Sequence, residues 1–505
     1  IYNSYIDAKR TSEASSTFMR LDGSKGGRFP RAGRGDVNTY ALFSELFTQL
    51  LSKRGRAGII VPTGIATEAT TAPFFAALVT EKKLARLLDF ENKEGIFPAV
   101  HRSYRFSVLS IAHRVDLPRY AFSLTSVTQI NDSERLFMLT AEDIERINPN
   151  TKTAPVFRTK ADADIVAGIY KRNAVLIDET GASSDAAWRV RSHTRLWHIA
   201  EDSNWFRTAE QLAKTEYEPA GNKWIAKQEN GSGNTIYVPV YEAKMMHQFD
   251  HRWFSYGKEI ASSDPVSAKQ NVKAEPMPRF WVPQLEVDAR LNAQKWRRGW
   301  LMGWRNITRS TDERTAIFSI LPRVAVVDTC PLLFVEDDAR MCAALYANMN
   351  SLVFDFVTRT KVGGTHLTFS HLKQLPVLGR NSYNNREIDF IAQRVLELTY
   401  TSSSMEPFAS EIGYSGNPFS WDELRRAELR AELDAWYARA YGLSRDELVY
   451  VLDPAEAKGS GYPSETFRVL KNNDISRYKS YRTRDLALQA FDKLASGAVN
   501  LVAAE

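Results

Sequence analysis

Between Val37 and Ala112 the hydrophobic spacing switches repeatedly between helical and strand periods, and this alternation limits the fold more than any other feature of the chain. In "VNTYALFSELFTQLLSKRG", Tyr40, Phe43, Leu46, Phe47, Leu50 and Leu51 recur at helical spacing and Gly55 closes the pattern, which predicts an amphipathic helix. "AGIIVP" (Ala57 to Pro62) then reads as a short apolar strand, "TEATTAPFFAALVTEKK" as a helix starting near Thr67, "LARLLDFE" as a second strand and "RFSVLSIA" as a third. Helix, strand, helix, strand, loop, strand is the order of one half of a doubly wound α/β sheet, whose ligands bind at the carboxyl ends of the strands. The loop itself, within "GIFPAVHRSYRFSVLSIAHR", sets Phe-Pro and a basic run, His101 to Arg105, ahead of the buried-looking stretch Phe106 to Ala112. Such a run suits something outside the protein.

At 505 residues the chain exceeds one compact core, and about three domains of roughly 150 residues are expected. The pattern divides at about residues 135 and 385. Residues 136–385 are mixed, polar and rich in tryptophan: "IYVPVYEAKMMHQFDHRWFSY", "PRFWVPQLEV" and "RVAVVDTCPLLFV" read as strand-containing pieces, and "CAALYANMNSLVFDFVTRTKVGG" as a helix ended by Gly363-Gly364. Residues 386–505 read as mostly helical, with Ser420 capping "WDELRRAELRAELDAWYARAYGL", then "SRDELVYVL" and a final helix after Arg484. "DGSKGGRFPRAGRGD" (Asp22 to Asp36) reads as a flexible surface loop, phosphate contact being the other use of a basic glycine segment.

Composition narrows the partners. Sixty-six Lys and Arg against sixty Asp and Glu leave +6, an excess that serves a polyanion only where it is concentrated on one surface. The two cysteines, Cys330 and Cys342, form no CxxC pair, which argues against a disulfide framework or a structural zinc site and for a reducing compartment. No apolar run approaches the roughly eighteen residues that cross a bilayer, and the start lacks a signal-like segment. A cytoplasmic protein without membrane contact is therefore expected. Because the first residue is Ile1 rather than Met, upstream sequence is expected as well.

Several stretches together resemble the γ-class amino-methyltransferases of DNA, in particular the large methylases of type IIG restriction systems and of the BREX phage-defence system. They are "GDVNTYALFSELF", "GRAGIIVPTGIATEATTAPFF", "LLDFENKEGIFPAVHRSYRFSVL", "YEAKMMHQFDHRW", "LNAQKWRRGW", "RTAIFSILPRVAV", "NSLVFDFVTRTKVGGTHLTFSHLKQLPV", "ELDAWYARAYGLSRDELVYVLDP" and "ETFRVLK" with "YRTRDLAL", in family order along nearly the whole chain. In that family a Rossmann-like domain binds S-adenosylmethionine through an early glycine motif, and an Asn-Pro-Pro-aromatic loop holds the amino group of a flipped adenine. Neither is here: no two prolines are adjacent, and Gly231-Ser232-Gly233 precedes a strand, which suits a hairpin connection better than a cofactor loop. The resemblance thus implies the second half of a Rossmann-like methyltransferase sheet (1–135), a mixed α+β target recognition domain (136–385) and a helical carboxyl-terminal region (386–505).

The resemblance also supplies a role for the Phe-Pro loop. Phe97 matches the family position that stacks on the extruded adenine, with Pro62, Thr63, Pro98, His101 and Tyr104 at the pocket rim and Arg102 and Arg105 near phosphates. The residues alone leave a second reading open, in which Phe97 plugs the sheet end and the arginines face water. In "KWRRGWLMGWRN", Lys295, Arg297, Arg298 and Arg305 suit phosphate contact, while Trp296, Trp300 and Trp304, four apart, read as the buried stripe of a helix. Arg359, Lys361 and His366 around Gly363-Gly364 are further DNA-contact candidates, equally consistent with a structural turn.

Two other constellations invite chemistry. Asp89, Glu91 and Lys93 have the residue types of a metal-dependent nuclease, but Asp89 is too near in sequence to be the distant acidic partner. His247 and His251 lie four apart, yet no third zinc ligand is evident, and structural histidines are the simpler reading. The function implied is part of a site-specific DNA adenine-N6 methyltransferase using S-adenosylmethionine, bound mainly by an upstream portion, in a restriction-modification or phage-defence system. Its partners would be double-stranded DNA, that upstream portion and other defence proteins. The rival readings are a restriction endonuclease fused to the same module and a non-catalytic DNA specificity subunit.

Overall fold

The computed structural model describes residues 2–35, 37–68, 70–181, 187–227, 236–256 and 265–497. Packing separates two compact units, Ile1–Lys171 with Asp178–Ala182 and Gly461–Ser464, and Arg172–Ile177 with Ser183–Ser460 and Glu465–Glu505. This division does not coincide with the sequence boundaries at 135 and 385. The segment after the sheet packs back on it, the Phe157 ring lying 5.6 Å from that of Phe137 and the Ala154 N–H donating to the Ala66 carbonyl at 2.8 Å. Residues after 385, apart from Gly461–Ser464, likewise join the second unit, where helix Asn385–Thr399 packs on Ala339–Asn350 and helix Glu423–Ala440 on Leu352–Arg359.

In the first unit, helices α1 (Tyr2–Met19) and α2 (Thr39–Leu50) precede strand β1 (Arg56–Pro62). Two short helices, α3 (Gly64–Thr67) and α4 (Ala72–Thr80), lead to β2 (Leu84–Glu91), β3 (Arg105–Ala112), β4 (Arg119–Leu124) and β5 (Phe137–Met138), then α5 (Ala141–Ile147) and α6 (Lys160–Arg172). The sheet order is β1-β3-β2-β4-β5, with β3 antiparallel to both β1 and β2, β2 parallel to β4, and β5 antiparallel to β4. The fold is α/β with a mixed sheet, because the loop from β2 returns directly alongside it instead of crossing over through a helix. Strands β1, β2 and β4 all run one way, so Pro62, Glu91 and Leu124 end at the same edge.

α2 departs from expectation. Its apolar stripe faces out, with Phe43 55% and Leu50 67% exposed, while Ala41, Leu42, Ser44 and Glu45 are buried. The Glu45 carboxylate accepts the N–H groups of Arg31 and Ala32, the latter at 2.8 Å, and this turns the polar side inward. Ala32 and Gly33 are buried with it, so the glycine-arginine segment is not wholly a surface loop.

The second unit holds two sheets. One runs β10 (Trp281–Pro283), β9 (Ile236–Tyr241), β8 (Lys223–Ala226), β7 (Tyr217–Ala220), with β13 (Ala325–Val326) parallel to β9; the other runs β12 (Phe318–Pro322), β11 (Trp300–Trp304), β14 (Leu332–Val335), β6 (Val190–His193). Trp300 and Trp304 are buried on β11, which corrects the helical reading: a spacing of four is even, so it keeps one strand face. The expected single helix after Cys342 is two, Ala339–Asn350 and Leu352–Arg359, because Ser351 is extended and its Oγ accepts the Phe354 N–H at 3.2 Å. β8 and β9 pair antiparallel around Gly231-Ser232-Gly233, which itself lies outside the described residues. The carboxyl-terminal part is helical, and Asp422, not Ser420, caps Glu423–Ala440.

Candidate functional site

The loop between β2 and β3 is built upward from one side chain. Asn92 is fully buried; its Nδ2 donates to the carbonyls of Phe97 (3.0 Å) and Val100 (2.8 Å), and its Oδ1 accepts the Phe97 N–H (2.9 Å). Its backbone N–H donates to the Tyr104 carbonyl at 3.0 Å and closes the neck of the loop. Gly95 makes the turn at φ 74°, a conformation that costs glycine little. Held this way, Phe97 is 36% exposed, and its ring meets Phe106 edge to face at 4.9 Å, while Phe106 stacks on Phe90 at 5.2 Å.

A second anchor lies beside it. Asp89 is wholly buried on β2; its carboxylate accepts Thr63 Oγ1 (2.5 Å), the Ser123 N–H (3.1 Å) and the Arg105 guanidinium, which also reaches Ser123 Oγ (3.1 Å). The β2 to β4 ladder slips between Leu88 and Phe90, and Ser123 takes φ 56° there. This bulge aims the Ser123 N–H at the carboxylate. One carboxylate thus ties together the site ends of β1, β2, β3 and β4. Burial alone would raise the Glu91 carboxyl, but the hydrogen bond from Lys93 and the charge of Arg105 outweigh it and hold Glu91 below its ordinary range.

Of the residues expected at this site, Pro62, Thr63, Phe97, Pro98, His101, Arg102, Tyr104 and Arg105 all fall at the carboxyl end of β1, β2 and β4. Pro98, His101, Arg102 and Tyr104 are exposed; His101 Nδ1 sits 2.8 Å from Ser103 Oγ and Arg102 donates to the Lys93 carbonyl at 2.7 Å. Arg105 is the correction, since its guanidinium is committed to Asp89 rather than turned to a phosphate.

The basic residues of the second unit divide. Lys295 and Arg297 are exposed in an open cleft of about 780 Å³, also lined by Arg191, Trp296, Arg298, Glu336 and Glu411. Lys295 takes φ 59°, a left-handed conformation that side chains other than glycine rarely adopt. Arg298 is turned inward, donating to the Asp337 carbonyl and lying 5.0 Å over Trp300. Arg305 donates to the Met246 carbonyl. Arg359 is more deeply committed, with bonds to Asp355 (3.1 Å) and to the carbonyls of Ser310, Glu313 and Thr466 (2.9 Å each). These three arginines donate to backbone carbonyls, a structural use the sequence motif did not separate from phosphate contact. Lys361 is half-buried, and burial holds its ammonium well below the ordinary range; His366 is exposed near Gly363 and Gly364.

The other constellations are structural. The oxygens of Asp89 are engaged as above, Glu91 pairs with Lys93, and among the described residues no group of three or more His, Cys, Asp and Glu is placed to hold a metal ion. His247 and His251 flank a tight turn rather than sharing a helix face: His247 packs 4.3 Å from the Trp253 ring and burial lowers it to about 3, while His251 Nε2 is 3.0 Å from Ser402 Oγ. Cys330 and Cys342 are buried free thiols, both pushed up to about 12 by burial.

Asn92 and Ser123 escaped the sequence reading, and Asp89 was met there only as a nuclease-like residue. A strand end followed by Asn is an ordinary turn signal, and nothing in the spacing shows that this side chain folds back under Phe97.

No family model matches the chain, and no curated protein matches it in sequence. Among solved structures, the type IIG restriction endonuclease BpuSI is similar over 85% of this chain and 51% of its own, at 12% identity and a TM-score of 0.29. The type IIL restriction-modification enzyme MmeI, in complex with DNA, is similar over 84% of this chain and 52% of its own, at 10% identity and a TM-score of 0.39. The chain spans about half the length of these structures. Similarity at this level assigns no family.

Proposed function

We propose that the chain is part of a site-specific DNA adenine-N6 methyltransferase of a restriction-modification or phage-defence system, in which it stacks the target base and reads the DNA sequence. The observation that carries this reading is the Phe97 ring, a third exposed and seated on Phe106 at the carboxyl ends of β1, β2 and β4. It stands on a loop whose sequence resembles the corresponding family loop. Extruding a base from duplex DNA costs a few kcal/mol, and one aromatic face returns about 1–3 kcal/mol. In this reading Thr63, held by Asp89, and the exposed His101 and Tyr104 form the rim of the base pocket, and Arg102 lies near a phosphate.

S-adenosylmethionine would supply the methyl group. The turns after β1, β2 and β4 (Thr63-Gly64, Asn92 to Gly95, Thr125-Ser126) are not glycine-rich and do not fit a site for it, so the roles assigned here are those of the base pocket and the DNA surface. The methyl-donor portion belongs, in this reading, at the open edge of β1. That strand, "RAGIIVP", has the apolar run of a central strand but ends its sheet, with Ile60 59% exposed and the outward Phe43 and Leu50 on the neighbouring α2. In the second unit, Lys295 and Arg297 are assigned to phosphates.

The test is Phe97→Ala in the full-length protein, assayed for methyl transfer to DNA taken from cells lacking the gene. Turnover should fall roughly 5- to 150-fold, the range equivalent to 1–3 kcal/mol, with duplex binding held within about twofold. Unchanged turnover rejects the stacking role.

A further inference from the structure

We infer that Asn92 is the positioning residue that sets Phe97 in its stacking orientation, an assignment that rests on the base-stacking reading above. Asn92 is fully buried, and its carboxamide makes all three of its side-chain bonds to the backbone of one short segment, Phe97 to Val100. Both the N–H and the carbonyl of Phe97 are fastened to it, so the peptide units on either side of the ring-bearing Cα are held by the same side chain. The remaining ties are weaker guides to the ring. Arg102 to the Lys93 carbonyl is a solvent-exposed bond, and the Val100 N–H to the Phe97 carbonyl is internal to the loop. Phe106 supports one side of the ring without fixing the backbone that carries it.

The chemistry of the position selects an amide. Two donors on Nδ2 meet two carbonyls and one acceptor on Oδ1 meets one N–H. A carboxylate would turn its charge against the Phe97 and Val100 carbonyls in a buried site, and an alanine would leave the Phe97 N–H and the Val100 carbonyl without their partner and the Phe97 carbonyl with the Val100 N–H alone. Preorganisation of this kind matters for stacking, because a loop that must be ordered on binding gives back part of what the contact contributes.

The experiment compares Asn92→Ala, Asn92→Asp, Phe97→Ala and the Asn92→Ala/Phe97→Ala pair in the full-length protein. Hydrogen exchange at the Phe97 amide reads the geometry without any need for activity. In Asn92→Ala that amide should exchange faster by up to about tenfold, the factor equivalent to removal of a bond worth roughly 1.4 kcal/mol, while amides of β2 and β3 are unchanged. Methyl transfer reads the consequence: Asn92→Ala should lower kcat with KM for DNA within about twofold, and should cause no further loss in the Phe97→Ala background. Unchanged exchange at Phe97, or an equal loss in both backgrounds, overturns the proposal. If Phe97→Ala is slow while Asn92→Ala keeps full turnover, the Asn92 assignment fails and the stacking reading stands. If Phe97→Ala itself keeps full turnover, the stacking reading fails and the Asn92 assignment with it. Should Asn92→Ala not fold, the isosteric Asn92→Asp carries the same comparison, with non-additivity against Phe97→Ala expected and additivity overturning it.

Discussion

Asp89, Arg359 and Asp434 show what a charged side chain does once it is enclosed. Each has the composition of a functional group, and the first two are committed to internal partners, Asp89 to Thr63, Arg105 and Ser123 and Arg359 to three backbone carbonyls. Asp434 accepts the Leu352 N–H at 2.8 Å, and burial pushes its carboxyl up to about 6 against the pull of Arg314. A carboxyl raised in the folded state is protonated there when the unfolded chain has already ionised at about 3.9, so its contribution to stability falls as pH rises from about 4 to 6. Above that window the cost of the buried charge is present in full. Asp434→Asn keeps an acceptor for Leu352 and removes the ionisation. It should therefore raise the melting temperature at pH 7 by an amount corresponding to at most about 3 kcal/mol, with the gain closing below pH 4. A difference independent of pH between 4 and 7 would place the effect in packing instead.

At the scale of elements, periodicity located helices and strands well and their facing poorly. The strands Arg56–Pro62, Leu84–Glu91 and Arg105–Ala112 lie where alternation placed them, because a short apolar run between turn residues has few alternatives. α2 was legible as a helix, but a single buried Glu45 reversed the side it presents. Helix ends depend on individual hydrogen bonds in the same way. Asp422 accepts the N–H groups of Leu424 and Arg425 at 2.8 and 2.9 Å, whereas Ser420 lies before the helix. Asp422→Ala should cost about 1 kcal/mol, read from the denaturant midpoint, and Ser420→Ala should leave that midpoint unmoved. The opposite order would restore Ser420 as the cap.

For the molecule as a whole, +6 is a small excess, and what matters is which cations remain free to meet an anion. Lys295 and Arg297 are exposed in an open cleft, whereas the guanidinium groups of Arg298, Arg305 and Arg359 are committed to backbone carbonyls. Neutralising Lys295 and Arg297 together as glutamines should weaken duplex binding alike for all sequences and reduce the slope of log affinity against log salt by roughly 1.8. An unaltered slope would take the cleft out of the DNA path. Arg359→Gln should act on stability instead, since its bonds close loops around Phe467.

What the amino-acid sequence determined by itself was local: the α/β alternation, the helical end of the chain, the burial of Trp296, Trp300 and Trp304 and the placement of Phe97 in a loop at a strand end. These follow from period and turn chemistry, which act over a few residues. Which strand lies between which, which of the arginines faces solvent, and how Asn92 and Asp89 hold the loop were decided only by the tertiary structure. The antiparallel entry of β3 brings Arg105 to Asp89 across 16 residues and the bulge in β4 brings Ser123 across 34. A buried polar group must find its partner wherever the fold supplies one, and such pairings leave no mark in the spacing of either residue.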